Sequence, residues 1–271
     1  MNGASAAAMK SADNFYQGDA SKWRKFANSL MLRVAMRMSK VDPAAAEQWV
    51  KTAVANGVFE SDADNCMLMH AGGLTTNDSS EPYAKIYSHE DRGNFFLTEY
   101  FVDLLKSTND PRLSLIGTVC EDPTISVQAG SDFQYGDSAP AVQKGLPSGF
   151  SDSPDSPWFV GNKYPEFKDE DYRSTYRSRY STINRYTYSD PTGPTFVCTY
   201  AQTQLLLAEA AVRGWVDGSA QTYYENGVRA AMRQFAQFPN GTALYNQYLT
   251  QAAIDRYLTE NPFNASKALE Q

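Results

Sequence analysis

Apolar residues recur every three or four positions at the start of the chain, which is the spacing of one helix face. On a first helix they are Trp23, Phe26, Ala27, Leu30, Val34 and Met38. Asp19 or Ser21 can cap its start. Asp42 and Pro43 begin a second helix, which Gly57 ends. Its inner face comprises Ala46, Trp49, Val50, Ala53 and Val54. The pattern predicts a helical hairpin over residues 20–57.

A second helical region follows at residues 199–260. Thr199 can cap the start of a helix that Gly214 ends, and its partner helix is predicted over residues 218–237. A third helix is predicted over 249–260, closed by the dipeptide Asn261-Pro262. This region therefore predicts another hairpin with one extra helix.

The stretch between the two helical regions, residues 58–198, has a different texture. It is rich in Gly, Pro, Ser, Asp and Asn. One helix is predicted over 92–106, with an inner face made of Phe95, Phe96, Tyr100, Val102 and Leu105. Six prolines between 120 and 170 preclude long helices there. We therefore predict an all-α fold of helical hairpins that carries a large, irregular, loop-rich insertion.

The two hairpins can be superimposed as sequence repeats. Ala45 then corresponds to Ala220, and Trp49 corresponds to Tyr224. A small residue four positions before a ring is the tetratricopeptide pattern, in which the small side chain lets two helices approach. Repeats of this kind need at least three copies to bury a continuous core. We therefore expect residues 1–271 to be a single-domain fragment, truncated at both ends.

Charge and hydropathy narrow the function classes. The chain has 24 Lys and Arg against 31 Asp and Glu, a net charge of −7, which argues against nucleic-acid binding. No apolar run approaches the ~18 residues that a membrane-spanning helix needs. The three cysteines, Cys66, Cys120 and Cys198, are widely spaced and odd in number, so we interpret them as small buried residues rather than a disulfide framework or a zinc site.

Three segments together resemble a known family. Residues 22–37 (KWRKFANSLMLRVAMR), 110–113 (DPRL) and 199–214 (TYAQTQLLLAEAAVRG) are similar to motifs of the SusD/RagB-like nutrient-binding outer-membrane lipoproteins, in the same order. Two positions depart from the family pattern. Gln202 stands where the family usually has Glu, and Leu205 where it often has Phe. Neither departure changes the expected fold.

The resemblance implies a tetratricopeptide-like scaffold whose insertion carries a binding site. It implies a protein at the bacterial cell surface, held in the outer membrane by a lipid anchor that this chain does not contain. The partner would be a SusC-like TonB-dependent transporter, and the ligand an oligosaccharide or another nutrient. It implies no catalysis.

Aromatic residues make up 13% of the chain and concentrate in residues 133–188, among prolines and glycines. A sugar ring presents C–H groups to a flat aromatic face and hydroxyl groups to polar side chains around it. We therefore select candidate ligand-binding residues from this range: Tyr135, Trp158, Phe159, Asn162 and Tyr164. A second polar and aromatic loop of the insertion adds Asn77, Tyr83 and Tyr87.

Packing is the alternative for the rings of residues 133–188, and an ordinary solvated loop is the favoured alternative for Asn77, Tyr83 and Tyr87. For Trp158, which lies between Pro157 and Phe159, anchoring of the loop to the helices is favoured over ligand contact. The regularly spaced Tyr172, Tyr176 and Tyr180 are more typical of one buried helix face than of a sugar platform.

Two other functions stay open: a tetratricopeptide-like scaffold that binds proteins, and a carbohydrate-active enzyme. The enzyme would need paired carboxylates such as those among Glu166, Asp169, Glu170 and Asp171, but a run of acids is more typical of a solvated surface. We expect no cofactor. Asp62, Asp64 and Asn65 form an incomplete calcium-loop pattern, so a structural calcium ion is a lesser alternative.

Overall fold

Helices dominate the secondary structure, with two small sheets between them. The computed structural model describes residues 10–72, 80–87, 94–120 and 136–267. In chain order the α-helices are α1 Ala20–Arg37, α2 Pro43–Ala55, α3 Pro82–Lys85, α4 Glu99–Ser107, α5 Leu113–Ile116, α6 Glu170–Thr175, α7 Tyr200–Val212, α8 Ala220–Arg233, α9 Thr242–Tyr248 and α10 Gln251–Glu260. The strands are β1 Cys66–Met69, β2 Gly117–Val119, β3 Ser181–Ile183 and β4 Pro194–Cys198. The all-α prediction is confirmed.

The chain divides into two units. Unit 1 comprises residues 1–69, 194–234 and 261–271, and unit 2 comprises residues 70–193 and 235–260. Unit 1 contains both predicted hairpins, α1 with α2 and α7 with α8, together with the antiparallel pair β1–β4. Unit 2 corresponds to most of the predicted insertion plus α9 and α10. The single-domain description of residues 1–271 stays a prediction.

The helix boundaries follow local capping chemistry. The side chain of Asp19 accepts hydrogen bonds from the backbone N–H groups of Ser21 and Lys22 at the start of α1. Asp42 caps α2 in the same way, with Pro43 as the first helical residue. The side chain of Thr199 caps α7. These caps satisfy N–H groups that have no partner within the helix, and all three starts agree with the sequence prediction.

The core of unit 1 lies between α1, α2 and α7. Its buried residues are Leu32, Ala35, Met36, Ala46, Val50, Ala53, Val58, Leu207, Ala210 and Trp215. Val34 and Trp49, which the sequence placed on inner faces, are 54% and 49% exposed, so their assignment was wrong. The buried face of α1 is rotated from the predicted one, because the helix packs against α2 and α7 at once.

Two polar residues also lie on the buried face of α1. The amide of Asn28 donates hydrogen bonds to the carbonyl oxygens of Asn56 and Gly57, at 3.0 and 2.9 Å. The hydroxyl of Ser29 accepts one from the backbone N–H of Phe59, at 2.9 Å. Carbonyl groups at a helix end have no partner within the helix, so α1 satisfies the end of α2 with its own side chains.

In unit 2 the helix α4 is shorter than predicted. Residues 96–98 are extended, and the backbone N–H of Leu97 donates to the carbonyl of Ser181 at 2.8 Å. The hydroxyl of Thr98 then caps the helix. Val102 and Leu105 are buried as predicted, but Tyr100 is 78% exposed, because it lies on the opposite face from Val102. The inward assignment of Tyr100 was therefore wrong.

Aromatic rings form a separate core in unit 2. Its buried members are Phe159, Val160, Phe167, Tyr172 and Tyr180, with Tyr176 partly buried against them. The hydroxyl oxygens of Tyr172 and Tyr180 lie 2.6 Å apart. The predicted tyrosine stripe is thus a packing feature, although α6 and a short 3-10 helix at Tyr176–Ser178 carry it rather than one continuous helix.

The Asn28 contacts generate a stability prediction. We expect Asn28→Asp to lower the free energy of unfolding by at least about 2 kcal/mol, because it removes two N–H donors and points a carboxylate at two carbonyl oxygens. Gln48→Glu makes the same chemical change at an exposed site on α2 and should alter stability by less than about 0.5 kcal/mol. Urea unfolding measures both, and equal effects would contradict the proposed role of Asn28.

The aromatic core of unit 2 leads to a second stability prediction. We expect Phe159→Ala to cost about 3–5 kcal/mol, because it leaves a cavity among packed rings. Tyr100→Ala, at an exposed position of the same unit, should cost less than about 0.5 kcal/mol. Thermal and urea unfolding followed by near-ultraviolet circular dichroism measure both. A stable Phe159→Ala variant would show that this ring is not a core element.

Candidate functional site

The segment 150–164, called here the aromatic loop, has a rigid backbone. Ser151 and Phe159 form a parallel β-bridge. The N–H of Ser151 donates to the carbonyl of Trp158, and the N–H of Val160 donates to the carbonyl of Ser151, both at 2.8 Å. A turn between Ser153 and Ser156 closes the loop, with a backbone hydrogen bond of 3.1 Å. The loop therefore has a fixed shape despite its prolines.

Consecutive rings of this loop have opposite environments. Phe159 is 6% exposed and packs in the aromatic core, whereas the neighbouring Trp158 is 71% exposed. Gly161 lies so close to the Phe159 ring that a Cβ atom would come within 2.4 Å of it. The sequence selected Phe159 as a ligand-binding residue, and its burial corrects this: the ring anchors the loop and leaves Trp158 at the surface.

A second group of side chains lies at the two ends of the aromatic loop. The rings of Phe150 and Tyr164 contact edge to face, with centroids 5.7 Å apart. The ammonium group of Lys163 lies 5.6 Å from the Phe150 centroid and 5.1 Å from that of Tyr164. Each contact is a cation–π interaction. Lys163 therefore covers part of this ring pair with a positive charge.

The hydroxyl of Tyr164 connects the loop to α4. It donates a hydrogen bond of 2.6 Å to the carboxylate of Glu99. This bond raises the pKa of Tyr164, because the neighbouring carboxylate disfavours a phenolate. Tyr164 therefore stays a hydrogen-bond donor, and among the residues that the structure describes no second donor to the Glu99 carboxylate is found.

The polar side chains of the loop lie at its surface. Asn162 is exposed on a short 3-10 helix, Val160–Asn162, whose backbone bonds to Phe159. The indole N–H of Trp158 has no acceptor among the residues that the structure describes. The arrangement therefore offers one flat apolar face with donor and acceptor groups along the same loop.

The candidates Tyr83 and Tyr87 form a separate pair. Tyr83 is 65% exposed and its ring stacks on Tyr87 with centroids 6.3 Å apart. Tyr87 in turn contacts Phe95 edge to face at 4.9 Å. Glu81 caps the short helix α3 that carries Tyr83. In the described ranges no ring contact joins this pair to Trp158 or Tyr164. Asn77 and Tyr135 lie outside the described residues.

The acidic candidates for metal binding have protein partners. Asp64 forms an ion pair with Lys25 at 3.1 Å and accepts hydrogen bonds from the backbone of residues 60 and 61. Asp62 pairs with Arg233 at 2.7 Å. Asn65 accepts from the backbone N–H of Tyr200. Across residues 10–72, 80–87, 94–120 and 136–267, no group of three His, Cys, Asp or Glu side chains is placed to hold a metal ion.

The acidic residues named as catalytic candidates for an enzyme also form contacts within the protein. Glu166 lies 3.8 Å from Lys144, Asp169 caps α6, and Glu170 pairs with Arg173 at 2.8 Å. A glycosidase needs one carboxyl group with a raised pKa opposite a second one. In this structure the three side chains form local ion pairs and a helix cap.

Three residues of the site were not selected from the sequence. Phe150 and Lys163 flank the predicted residues in the loop, and Glu99 comes from α4. The one sequence feature that could have indicated Lys163 is its position between the candidates Asn162 and Tyr164. Glu99 and Tyr164 are 65 residues apart in the sequence, so only the tertiary structure brings their side chains together.

Solved structures with the same fold include one described as chitin-binding and two described as SusD-like. A protein described as chitin-binding is 31% identical, with a TM-score of 0.68, and the match covers 94% of this chain and 48% of that one. A SusD-like protein from Bacteroidetes is 26% identical, with a TM-score of 0.74, over 93% and 54%. A SusD homologue from Bacteroides fragilis is 25% identical, with a TM-score of 0.65, over 95% and 52%.

The chain spans about half the length of these solved structures. No curated protein sequence matches it. None of the helices in the described residues is long and apolar enough to cross a membrane.

The family itself is shown by the sequence profile of the SusD-like proteins, described as starch-binding and associating with the outer membrane. This profile matches residues 2–271, almost the whole chain. The resemblance inferred from the motifs at 22–37, 110–113 and 199–214 is thereby confirmed. With its tetratricopeptide-like hairpins and its loop-rich insertion, the chain belongs to the SusD-like family.

Proposed function

We propose that this chain binds an oligosaccharide at the aromatic loop, with Trp158 as the stacking platform. As part of a SusD-like protein at the cell surface, it would deliver this ligand to a SusC-like TonB-dependent transporter in the outer membrane. Association with the outer membrane is the family's description. The ligand, the transporter and the surface location are proposals for this chain.

The exposed indole carries the proposal. Trp158, at 71% exposure, presents a wide apolar face to water, and covering that face with a ligand would be favourable. The loop beneath it is fixed by two backbone hydrogen bonds and by the buried Phe159. A rigid platform loses little conformational entropy when a ligand binds, so the geometry favours recognition over packing.

A sugar ring fits the chemistry of this loop. Its axial C–H groups can pack on the indole, while its hydroxyl groups need hydrogen-bond partners at the edge. The amide of Asn162, the ammonium of Lys163 and the indole N–H provide donors, and the free oxygen of Glu99 provides an acceptor. Binding of this type is open and solvated, and it suits a long, flexible oligosaccharide more than a small enclosed ligand.

The similar structures guide the choice of probes. One is described as chitin-binding, and the family is described as starch-binding. We therefore propose N-acetylglucosamine oligomers and maltooligosaccharides as the first ligands to test. The engaged positions of Glu166, Asp169 and Glu170 support a binding role without hydrolysis.

Substitution of the indole tests the site. We expect Trp158→Ala to weaken oligosaccharide binding at least about tenfold, because stacking of this kind contributes about 1–3 kcal/mol. The Tm should change by no more than about 2 °C, since the side chain is mostly exposed. Isothermal titration calorimetry with chitohexaose and maltohexaose gives the affinity, and chromatography of the same mixtures should show no shortened sugars.

Two variants serve as controls. Trp49→Ala removes a half-exposed indole from α2 and should leave the affinity unchanged. Tyr83→Ala tests whether the other exposed ring pair is the platform. Loss of binding in Tyr83→Ala with full binding in Trp158→Ala would move the site to that pair. Absence of binding to every glycan would contradict the oligosaccharide proposal and favour another nutrient or a protein partner.

A further inference from the structure

Two cysteines face each other across the sheet of unit 1. The antiparallel strands β1 and β4 pair Cys66 with Cys198, and Met67 with Phe196. The register shifts between these two pairs, so Val197 is the extra residue of a β-bulge. Residues directly opposite each other in antiparallel strands have Cα atoms about 4.5–5.5 Å apart, with side chains on the same face. This spacing lies within the range that disulfides span.

Both thiols occupy the same small core. Cys66 and Cys198 are 1% and 2% exposed and pack together with Tyr16 and Phe59. In the structure all three cysteines are reduced, and the third, Cys120, lies in unit 2 beside the hydroxyl of Thr182. Cys120 therefore has a different partner, whereas Cys66 and Cys198 are each other's ladder neighbours.

We propose that Cys66 and Cys198 form a cross-strand disulfide when the protein folds outside the cytoplasm. The inference rests on the ladder register and on the outer-membrane association of the family, because compartments beyond the cytoplasmic membrane support disulfide formation. It does not depend on the ligand. The wide sequence spacing concealed the pair, which the strand register reveals.

The reaction is a thiol–disulfide exchange. One thiolate of the pair attacks the disulfide of an oxidant, such as a thiol oxidoreductase or oxidised glutathione, and releases one reduced thiol. The second cysteine then attacks the mixed disulfide and releases the other. The chain loses two electrons and two protons, and the oxidant gains them as two thiols.

The timing of this step follows from burial. Burial raises the pKa of both thiols, which keeps them protonated and unreactive once the core is complete. The bond therefore forms during folding, when β1 and β4 first pair and before Tyr16 covers them.

The bond would close the chain at the base of the insertion. Residues 70–193, which contain the aromatic loop, start after β1 and end before β4. A covalent link between the strands restricts the unfolded chain over this whole stretch, and such long closures stabilise most in the chain-entropy model.

Oxidative refolding tests the pairing. The full chain is unfolded and reduced, refolded with a mixture of oxidised and reduced glutathione, alkylated under denaturing conditions and digested for mass spectrometry. We expect one peptide pair joined through Cys66 and Cys198, with only Cys120 alkylated. Three alkylated cysteines, or a bridge that includes Cys120, would overturn the proposal.

Reductant and matched variants give a second readout. Adding dithiothreitol should lower the Tm of the oxidised protein by about 5 °C or more. Cys120→Ser should retain this response, and Cys198→Ser should lose it. If Cys198→Ser does not fold, the peptide map of the wild type and of Cys120→Ser still decides. An unchanged Tm in the wild type after complete reduction would count against a stabilising bond.

Discussion

The antiparallel pairing of β1 with β4 is the constraint on which the rest of the fold depends. These short strands hold together the two ends of a long insertion, and the ladder between them must offset the entropy of closing that loop. Caps at Asp19 and Thr199 fix where the two hairpins of unit 1 begin, one before β1 and one directly after β4. A cross-strand bond at Cys66 and Cys198 would strengthen this same junction.

The interior of unit 2 is built differently from that of unit 1, because its sequence has few long apolar runs. Part of its interior is polar: the fully buried amide of Asn184 donates to the carbonyl of Ser114 and to the hydroxyl of Ser138, both at 3.0 Å. Another part is aromatic, around Phe159. Satisfied polar groups and packed rings both fix loops in one conformation. That rigidity explains how a proline-rich loop can present Trp158 as a fixed surface feature.

Trp158, the proposed binding residue, and Phe159, a core residue, are adjacent in the chain. Phe159 packs in the aromatic core, whereas Trp158, in the turn just before the β-bridge between Ser151 and Phe159, remains exposed. The edge contact of Phe150 with Tyr164, and the bond from Tyr164 to Glu99, add support from the side. A platform held in this way would lose little conformational entropy on binding the proposed ligand.

The sequence by itself determined the hairpins, their caps and the family, because helix periodicity and capping are local properties. It also located the aromatic insertion. It could not determine which rings face water: Trp49 and Tyr100 have the apolar character of core residues, yet the orientation of α2 and α4 exposes them. Likewise, only the tertiary structure separated Trp158 from Phe159, paired Glu99 with Tyr164 and placed Cys66 opposite Cys198. Those outcomes depend on strand register and helix rotation, which arise from contacts between segments far apart in the chain.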